Sequence, residues 1–290
     1  MQRLKFINAL GHEVLFDNVP PFIFWKISGL GIPSVDVVFT QSGGQNGYTE
    51  HDLLLNERTV SLSCHIHGPD GARQMYERRR ELNRVCNPCL GLGTLIYTND
   101  FGEWQTAAFC TGDPYGDKWQ KSKGQTLDIY FECPSPFWLS AAPYQAGLVY
   151  ISGGIEFPLI TPSEGGNLGY LVNIDNDGDA DTPLEIYIDG GSVNPIIKNE
   201  TTGEFLQISQ QMQTTDKLYI NTDPDHLAVS LITTDAATGT ETTTKAYGYL
   251  TDDSALFKLV PGMNVLTFHS DDDNKEIQIR IIYYKRYVGV

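Results

Sequence analysis

The chain has 290 residues, which is enough for two domains that each bury a core. Its formal net charge is −16, and the charge is uneven: residues 1–140 carry −3 and residues 141–290 carry −13. An acidic chain repels phosphate backbones, so the composition argues against stable nucleic-acid binding. The sequence shows no run that suits a transmembrane helix or a signal-peptide core, which predicts synthesis in a cytoplasm and no membrane partner.

Short alternating segments occupy most of the chain and predict strands. The first, "LKFINALGHEVLF", predicts two strands around an "ALGHE" turn. The segment "RTVSLSCHIHG" places Val60, Leu62, Cys64 and Ile66 on one face. Turn residues separate these segments, since the chain holds 28 Gly and 15 Pro. The sequence therefore predicts a mainly β fold.

One helix is predicted, over about 69–86. Met75, Leu82, Val85 and Cys86 form an apolar stripe together with Ala72, between a "GPD" start and an "NPCLG" stop. The opposite face is rich in arginine, which also fits nucleic-acid binding. The acidic chain instead favours a solvated face with ion pairs from Glu77 and Glu81 to arginines three or four residues away.

A domain boundary is predicted within residues 133–147, where three prolines and several small residues break any regular element. It divides the chain into domains at 1–140 and 141–290. Residues 42–59 are expected to form a long loop or a protruding hairpin in the first domain. Residues 233–254 are expected to form a similar surface excursion in the second.

The segment "NIDNDGDADTPLEIYIDGG", residues 173–191, has aspartates at every second position from Asp175 to Asp181. Alternating oxygens and a glycine are features of a calcium loop, but such a loop needs Glu at its twelfth position, where this chain has Leu184. The alternative is a tight turn between two strands, because Asn, Asp and Gly tolerate positive φ. We favour a hairpin that does not depend on calcium.

No catalytic motif was found, so no catalytic, cofactor-binding or metal-binding residues are predicted and no cofactor is expected. The five cysteines, an odd number, agree with reduced thiols. Cys86 and Cys89 form the only C-x-x-C motif, and a structural zinc site requires a second pair. His65 and His67 are expected on the polar face of their strand, exposed to solvent.

Several stretches, taken in order, resemble one family. They are "FWKISGLGIPSVDVVF", the strand–helix–"GTLIY" unit, "CPSPFW", and the block that runs from "NDGDADTP" through "GG" and "NPII" to "TTGE". This combination resembles the distal tail protein (Dit) family of siphoviruses, phages with long non-contractile tails, that infect Gram-positive bacteria. The likeness covers most of the chain, and none of its motifs is catalytic.

The resemblance implies an N-terminal β-sandwich or barrel-like domain with one α-helix, followed by a galectin-like β-sandwich. It also implies a virion structural protein and not an enzyme. Six copies would form a baseplate ring at the tail tip, between the tail tube protein and a tail-associated lysin, spike or receptor-binding protein. The galactose-binding cluster of true galectins has no counterpart here, since the second half lacks Trp.

Two alternatives remain open at this point. The first is a carbohydrate-binding module that recognises a host cell-wall polymer, because aromatic side chains on a β-sandwich can stack on sugars. The second is a glycan-cleaving enzyme, since acidic residues are abundant, although no carboxylate pair is distinguished.

Overall fold

A computed structural model describes residues 2–112, 118–120, 124–150, 170–235, 238–272 and 277–290. The chain divides into two compact units. Unit 1 comprises residues 1–141 together with 286–290, and unit 2 comprises residues 142–285. That the two units are independent domains, divided near residue 140, stays a prediction. The structure adds that the last five residues pack with unit 1.

Unit 1 contains twelve of the described strands, one α-helix and a 3₁₀ turn at Pro88–Leu90. The elements are β1 Arg3–Ile7, β2 Glu13–Phe16, β3 Phe22–Ser28, β4 Val35–Thr40, β5 Thr49–Leu55, β6 Arg58–His67, α1 Ala72–Val85, β7 Gly93–Thr98, β8 Glu103–Cys110, β9 Lys118–Gln120, β10 Gly124–Cys133 and β11 Trp138–Ser140, with β24 Arg286–Tyr287 at the end of the chain.

The main sheet of unit 1 has the strand order β2-β1-β7-β8-β10-β6-β3. Strand β11 pairs with β8 and with the returning β24. The predicted hairpin at the N-terminus is confirmed, since Leu4 pairs with Phe16 and Ile7 with Glu13. The predicted inward face of β6 is also confirmed, because Val60, Leu62, Cys64 and Ile66 are all fully buried.

Helix α1 begins three residues later than predicted and ends one residue earlier. Met75, Leu82 and Val85 are buried in the core of unit 1, as their spacing predicts. The helix packs against β2, β6 and β10. At its C-terminal end, the Asn8 side chain donates to the carbonyl of Val85 (3.2 Å), which joins the β1–β2 turn to the helix.

A buried arginine organises the other end of unit 1. Arg58 is 2% exposed, and its guanidinium donates to the carbonyls of Gly29 (2.7 Å), Pro136 (3.1 and 2.7 Å) and Val288 (2.7 Å), and also to that of Gly31. Burial lowers the pKa of Arg58, but an arginine remains charged at any ordinary pH. One side chain thus satisfies acceptors from three segments that are distant in sequence.

Unit 2 contains twelve further strands among the described residues and a 3₁₀ turn at Tyr247–Tyr249. The strands are β12 Tyr144–Tyr150, β13 Tyr170–Asn176, β14 Glu185–Asp189, β15 Ser192–Val193, β16 Ile196–Asn199, β17 Phe205–Gln207, β18 Gln211–Met212, β19 Lys217–Asn221, β20 Ala228–Thr234, β21 Glu241–Lys245, β22 Gly262–His269 and β23 Gln278–Tyr283.

Ten strands of unit 2 form one continuous path, β17-β16-β22-β13-β12-β23-β14-β19-β20-β21. Residues from both ends of this path meet in a single apolar core, for example Leu266 and Phe268 of β22 with Ile186 and Ile188 of β14. The two halves therefore face each other as layers of a sandwich, with β12 pairing to both halves. The mainly β prediction is confirmed for both units.

The predicted hairpin at residues 173–191 is wrong. Strand β13 pairs with β12 and β22, whereas β14 pairs with β19 and β23, so the two strands that flank the acidic segment do not pair with each other. The segment instead connects one layer of the sandwich to the other. Turn-forming residues favour a change of chain direction, but they do not specify which strands become partners.

Buried Asn176 holds this connection in place. Its Nδ2 donates to the carbonyls of Ala180 and Leu259, both at 3.2 Å, and its Oδ1 accepts from the amide of Gly178. The backbone of Thr182 exchanges two further hydrogen bonds with Leu259. These bonds within the chain fix the segment without requiring a bound ion.

A lysine supplies positive charge beside the aspartates. Lys285 Nζ lies 2.6 Å from Asp177 Oδ1 and 4.1 Å from the centre of the Tyr144 ring. Burial alone would lower the pKa of Lys285, but the hydrogen bond and charge of Asp177 outweigh burial and raise the pKa. The Lys285 ammonium group therefore occupies a position next to Asp177 that a bound metal ion would need.

We expect Arg58→Lys to reduce the free energy of unfolding by about 3 kcal/mol, because an ammonium cannot reach all four carbonyls and buried acceptors would lose their donors. Chemical denaturation measures this change. Arg73→Lys is the control, since the Arg73 side chain is 93% exposed. Equal effects of the two substitutions would contradict the role assigned to Arg58.

We expect the protein to melt at the same temperature in excess calcium and in EDTA, because Asn176 and Lys285 already fix the acidic segment. Differential scanning calorimetry in the two buffers measures this. A rise of several degrees with calcium that disappears in Asp175→Asn/Asp177→Asn would show that the segment is a calcium site.

Candidate assembly surface

Strands β4 and β5 form a two-stranded sheet that, in the described part of the chain, pairs with no other strand. The register runs from Val35 opposite Leu55 to Thr40 opposite Thr49, with a β-bulge after Val38. The sequence predicted a loop or hairpin at 42–59, and a hairpin is present, but its first strand begins earlier, at Val35. An isolated two-stranded hairpin is only marginally stable in water.

One face of this hairpin is apolar. Paired residues of an antiparallel ladder share a face, so the register and the contact between the Phe39 and Tyr48 rings (4.8 Å) define that face. We call it the apolar hairpin face, and it consists of Val35, Val37, Phe39, Tyr48, Leu53 and Leu55, with the charged Glu50 opposite Phe39. Phe39, Tyr48 and Leu53 are each more than half exposed. A contiguous apolar patch of this kind marks an interaction surface.

The tip of the hairpin is fixed by its own side chains. Gln45 Oε1 accepts from the amide of Ser42 (3.0 Å), and Gln45 Nε2 donates to Thr49 Oγ1 (3.1 Å). Gly44 and Gly47 have φ values of 84° and 79°, which only glycine adopts without strain. The tip thus holds a defined shape, which reduces the conformational entropy that binding would cost.

The arginines of α1 do not form the set of ion pairs that was predicted. Arg73 pairs with Glu77 at 3.1 Å, as expected. Arg78 instead donates to the carbonyl of His67, and Arg79 donates to Gln125 Oε1 at 3.2 Å. Two of the arginines therefore attach the helix to neighbouring strands, which sequence spacing along one helix does not reveal.

The predicted reduced state of the cysteines agrees with the structure, in which all five are free. The members of the C-x-x-C motif differ: Cys86 is buried and Cys89 is exposed. A hydrogen bond with Cys110, together with burial, raises the pKa of Cys86, so its thiol stays protonated. This environment does not favour the thiolate that metal binding or redox exchange requires.

His65 and His67 lie on the face of β6 opposite the core, as predicted, but both are half-buried and not fully exposed to solvent. Their ring centres are 6.3 Å apart. Burial, assisted by His67, lowers the pKa of His65 and keeps it neutral at pH 7. The ring packs over Gly124, where a Cβ atom would lie 2.1 Å from His65 Nε2.

Within the described ranges, no three His, Cys, Asp or Glu side chains form a group that could hold a metal ion. The expectation of no metal or cofactor stays a prediction. In the same ranges, no helix has the length and apolar character needed to cross a bilayer.

Comparison with known proteins gives three findings. Residues 177–287 match the family model described as siphovirus-type tail component, C-terminal domain. The Dit protein of phage SPP1, described as a paradigm of the hub adsorption apparatus in phages that infect Gram-positive bacteria, has the same fold. The TM-score is 0.65 at 11% identity, over 99% of each chain. A chain from the baseplate of phage P2, in its activated conformation with Ca, matches with a TM-score of 0.52 at 12% identity over 97% of each chain.

No curated protein matches the chain at a significant level of sequence similarity. The family match covers most of unit 2, and the structural matches extend the same fold to the rest of the chain. Residues 177–287 are thus similar to the C-terminal domain of siphovirus-type tail components, and together with the shared fold this match confirms the resemblance to the distal tail proteins.

Proposed function

We propose that this protein is a structural component of a phage tail tip, where copies of the chain form a ring through unit 1. In this proposal the ring joins the tail tube to the tail-tip spike, lysin or receptor-binding proteins, in the virion. The observation that carries it is the apolar hairpin face, which the chain by itself leaves exposed. The fold shared with a hub protein and a baseplate chain supports the same role.

A second copy of the chain is the occupant that best fits the apolar hairpin face. Burying apolar surface yields about 25 cal/mol per Å². The hairpin also presents two open strand edges, which the strands of a neighbouring copy can pair with. In a closed ring every copy gives one such surface and receives another, so none remains exposed.

The charge distribution is compatible with this arrangement. Residues 1–140 hold 12 Lys and Arg against 15 Asp and Glu, so copies of this region repel one another little. Residues 141–290 hold 8 against 21. A ring through which DNA passes must not bind its phosphates, and neither region has the positive excess that such binding requires.

We expect Phe39→Ser/Leu53→Ser to convert an oligomer of the full-length chain into a monomer, because both substitutions place hydroxyl groups in the apolar hairpin face. Native mass spectrometry and light scattering measure the mass. The matched control is Leu227→Ser, in unit 2, where the side chain is 43% exposed. The full chain is required, since residues 286–290 pack with unit 1.

The proposal requires that the control keep the mass of the parent protein while the hairpin variant does not. If both variants retain the parent mass, the hairpin is not the assembly surface. If Leu227→Ser alone dissociates the oligomer, unit 2 is the region that assembles.

We further propose that the protein has no hydrolytic activity. Glycoside hydrolysis needs a protonated carboxylic acid close to a second carboxylate. Burial would raise the pKa of Glu200, but hydrogen bonds from Lys198 (2.6 Å) and Thr267 (2.9 Å) outweigh it and lower the pKa, so this group is not a proton donor. The fold shared with a hub protein and a baseplate chain also supports a structural role.

Purified walls of Gram-positive bacteria incubated with the protein should release no reducing ends and no soluble phosphate, since no bond is expected to be cleaved. Reducing-sugar and phosphate assays measure the release, with lysozyme as the positive control. Reproducible release that a single carboxylate substitution abolishes would overturn the structural assignment in favour of an enzyme.

A further inference from the structure

A row of directly paired residues crosses the outer face of one layer of unit 2. The pairing runs across β23, β14, β19, β20 and β21. In order, the row contains Arg280, Tyr187, Tyr219, Ser230 and Lys245. The residues that alternate with them along the strands are buried in the core, so the row lies on the opposite face.

Three members of the row form a continuous stack. The guanidinium of Arg280 lies 4.7 Å from the centre of the Tyr187 ring. The Tyr187 and Tyr219 ring centres are 4.9 Å apart, with their planes at 43°. Arg280 and Tyr219 therefore cover the two sides of Tyr187. On the other side of Tyr219 the next residue is Ser230, which has a short side chain, and then Lys245.

Polar groups with fixed orientations lie beside the stack. Glu185 and Asn221 are paired residues on the same face, two positions along their strands from the tyrosines. Tyr187 donates its hydroxyl proton to Glu185 Oε2 (3.0 Å), and Asn221 Nδ2 donates to the hydroxyl oxygen of Tyr219 (3.3 Å). The Tyr219 hydroxyl already accepts a bond, so its own proton is available to a ligand.

The surroundings of Tyr187 keep its hydroxyl group protonated. Burial and the neighbouring Glu185 carboxylate raise the pKa of Tyr187 to about 12, so the hydroxyl remains a donor at neutral pH. One oxygen of Glu185 accepts this bond, and the second has no hydrogen-bond partner among the described residues. An acceptor, a donor, a cationic group and an aromatic ring are thus presented together.

We propose that this face binds a neutral hexopyranose unit of a surface glycan, with the sugar stacked on Tyr219 above Ser230. The C–H face of a pyranose fits against an aromatic ring, while its hydroxyl groups require donors and acceptors at fixed positions. Glu185, Lys245 and the hydroxyl of Tyr219 supply these groups, and the buried Asn221 orients that hydroxyl. The binding site is inferred from unit 2 alone. The assignment of the glycan to a host cell rests on the proposed function.

The same features fit other partners less well. The large apolar side chains that form the centre of a stable protein interface lie on the hairpin of unit 1, whereas this row is composed of charged, hydroxyl-bearing and aromatic groups. The excess of acidic residues in this half of the chain opposes nucleic acids and other polyanions. A neutral ligand that carries many hydroxyl groups meets neither difficulty.

The test is calorimetric titration of the full-length protein with methyl glycosides of glucose, galactose and N-acetylglucosamine at millimolar concentrations. We expect saturable binding of at least one of them. Tyr219→Ala should weaken that binding by about tenfold through lost stacking. Glu185→Gln should weaken it by at least about tenfold, because hydrogen bonds to a charged acceptor are the stronger kind.

Tyr249→Ala is the matched control, since Tyr249 is an exposed tyrosine of the same unit but lies outside the row. It should leave affinity unchanged. Tyr219→Phe keeps the ring and removes the hydroxyl, so its affinity should fall between those of the parent and Tyr219→Ala. Thermal melts of each variant separate loss of the site from loss of the fold.

Failure of all three glycosides to bind would overturn the proposal, as would binding that Tyr219→Ala and Glu185→Gln leave intact. Glycerol phosphate serves as a charged probe, and its binding in place of the glycosides would indicate an anion site at Arg280 and Lys245 instead. The oligomeric mass of each variant is measured in parallel. A changed mass would show an effect of the substitution on ring assembly. Lost sugar binding with an unchanged mass would show an effect on the sugar site alone.

Discussion

Unit 1 depends on one buried guanidinium. Arg58 lies at the start of β6 and binds carbonyls at residues 29, 31, 136 and 288, with no carboxylate partner among the described residues. The carbonyl dipoles, together with the Trp138 ring 5.6 Å from the guanidinium, compensate the charge, so these groups have to be in place for the arrangement to be favourable. A single side chain therefore couples the positions of three segments, which are the connection after β3, the segment before β11 and the end of the chain.

The two units expose surfaces of opposite chemistry. The hairpin of unit 1 presents branched and aromatic side chains whose burial requires a large, matching apolar partner. The outer sheet face of unit 2 presents stacked tyrosines, an arginine, a carboxylate and an amide, which suit a small polar ligand. In the proposed roles, assembly and glycan binding use different parts of the chain, so a change that improves one need not weaken the other.

The sequence predicted the features of the fold that depend on local periodicity. The alternation of Val60, Leu62, Cys64 and Ile66 specified an inward face, and the stripe through Met75 and Leu82 specified the helix. The pairing of strands that are distant in sequence could not be predicted in the same way. The segment "NDGDADTP" is rich in turn-forming residues, but tertiary packing decides that β13 and β14 pair with other strands and not with each other. The row through Tyr187, Tyr219 and Arg280 left no recognisable spacing, because its members come from separate strands and meet only through the register of the sheet.

Strand β24 returns to pair with β11, so the chain enters unit 2 after residue 141 and leaves it before residue 286. The entering and leaving strands are neighbours, with Tyr144 opposite Tyr283. Unit 2 is therefore an insertion whose two ends are adjacent in space. Such a unit can be exchanged for another domain by recombination at two nearby points, while the Val288 carbonyl stays on Arg58. The architecture thus allows unit 2 to be replaced as a whole while unit 1 keeps the contacts that hold the end of the chain.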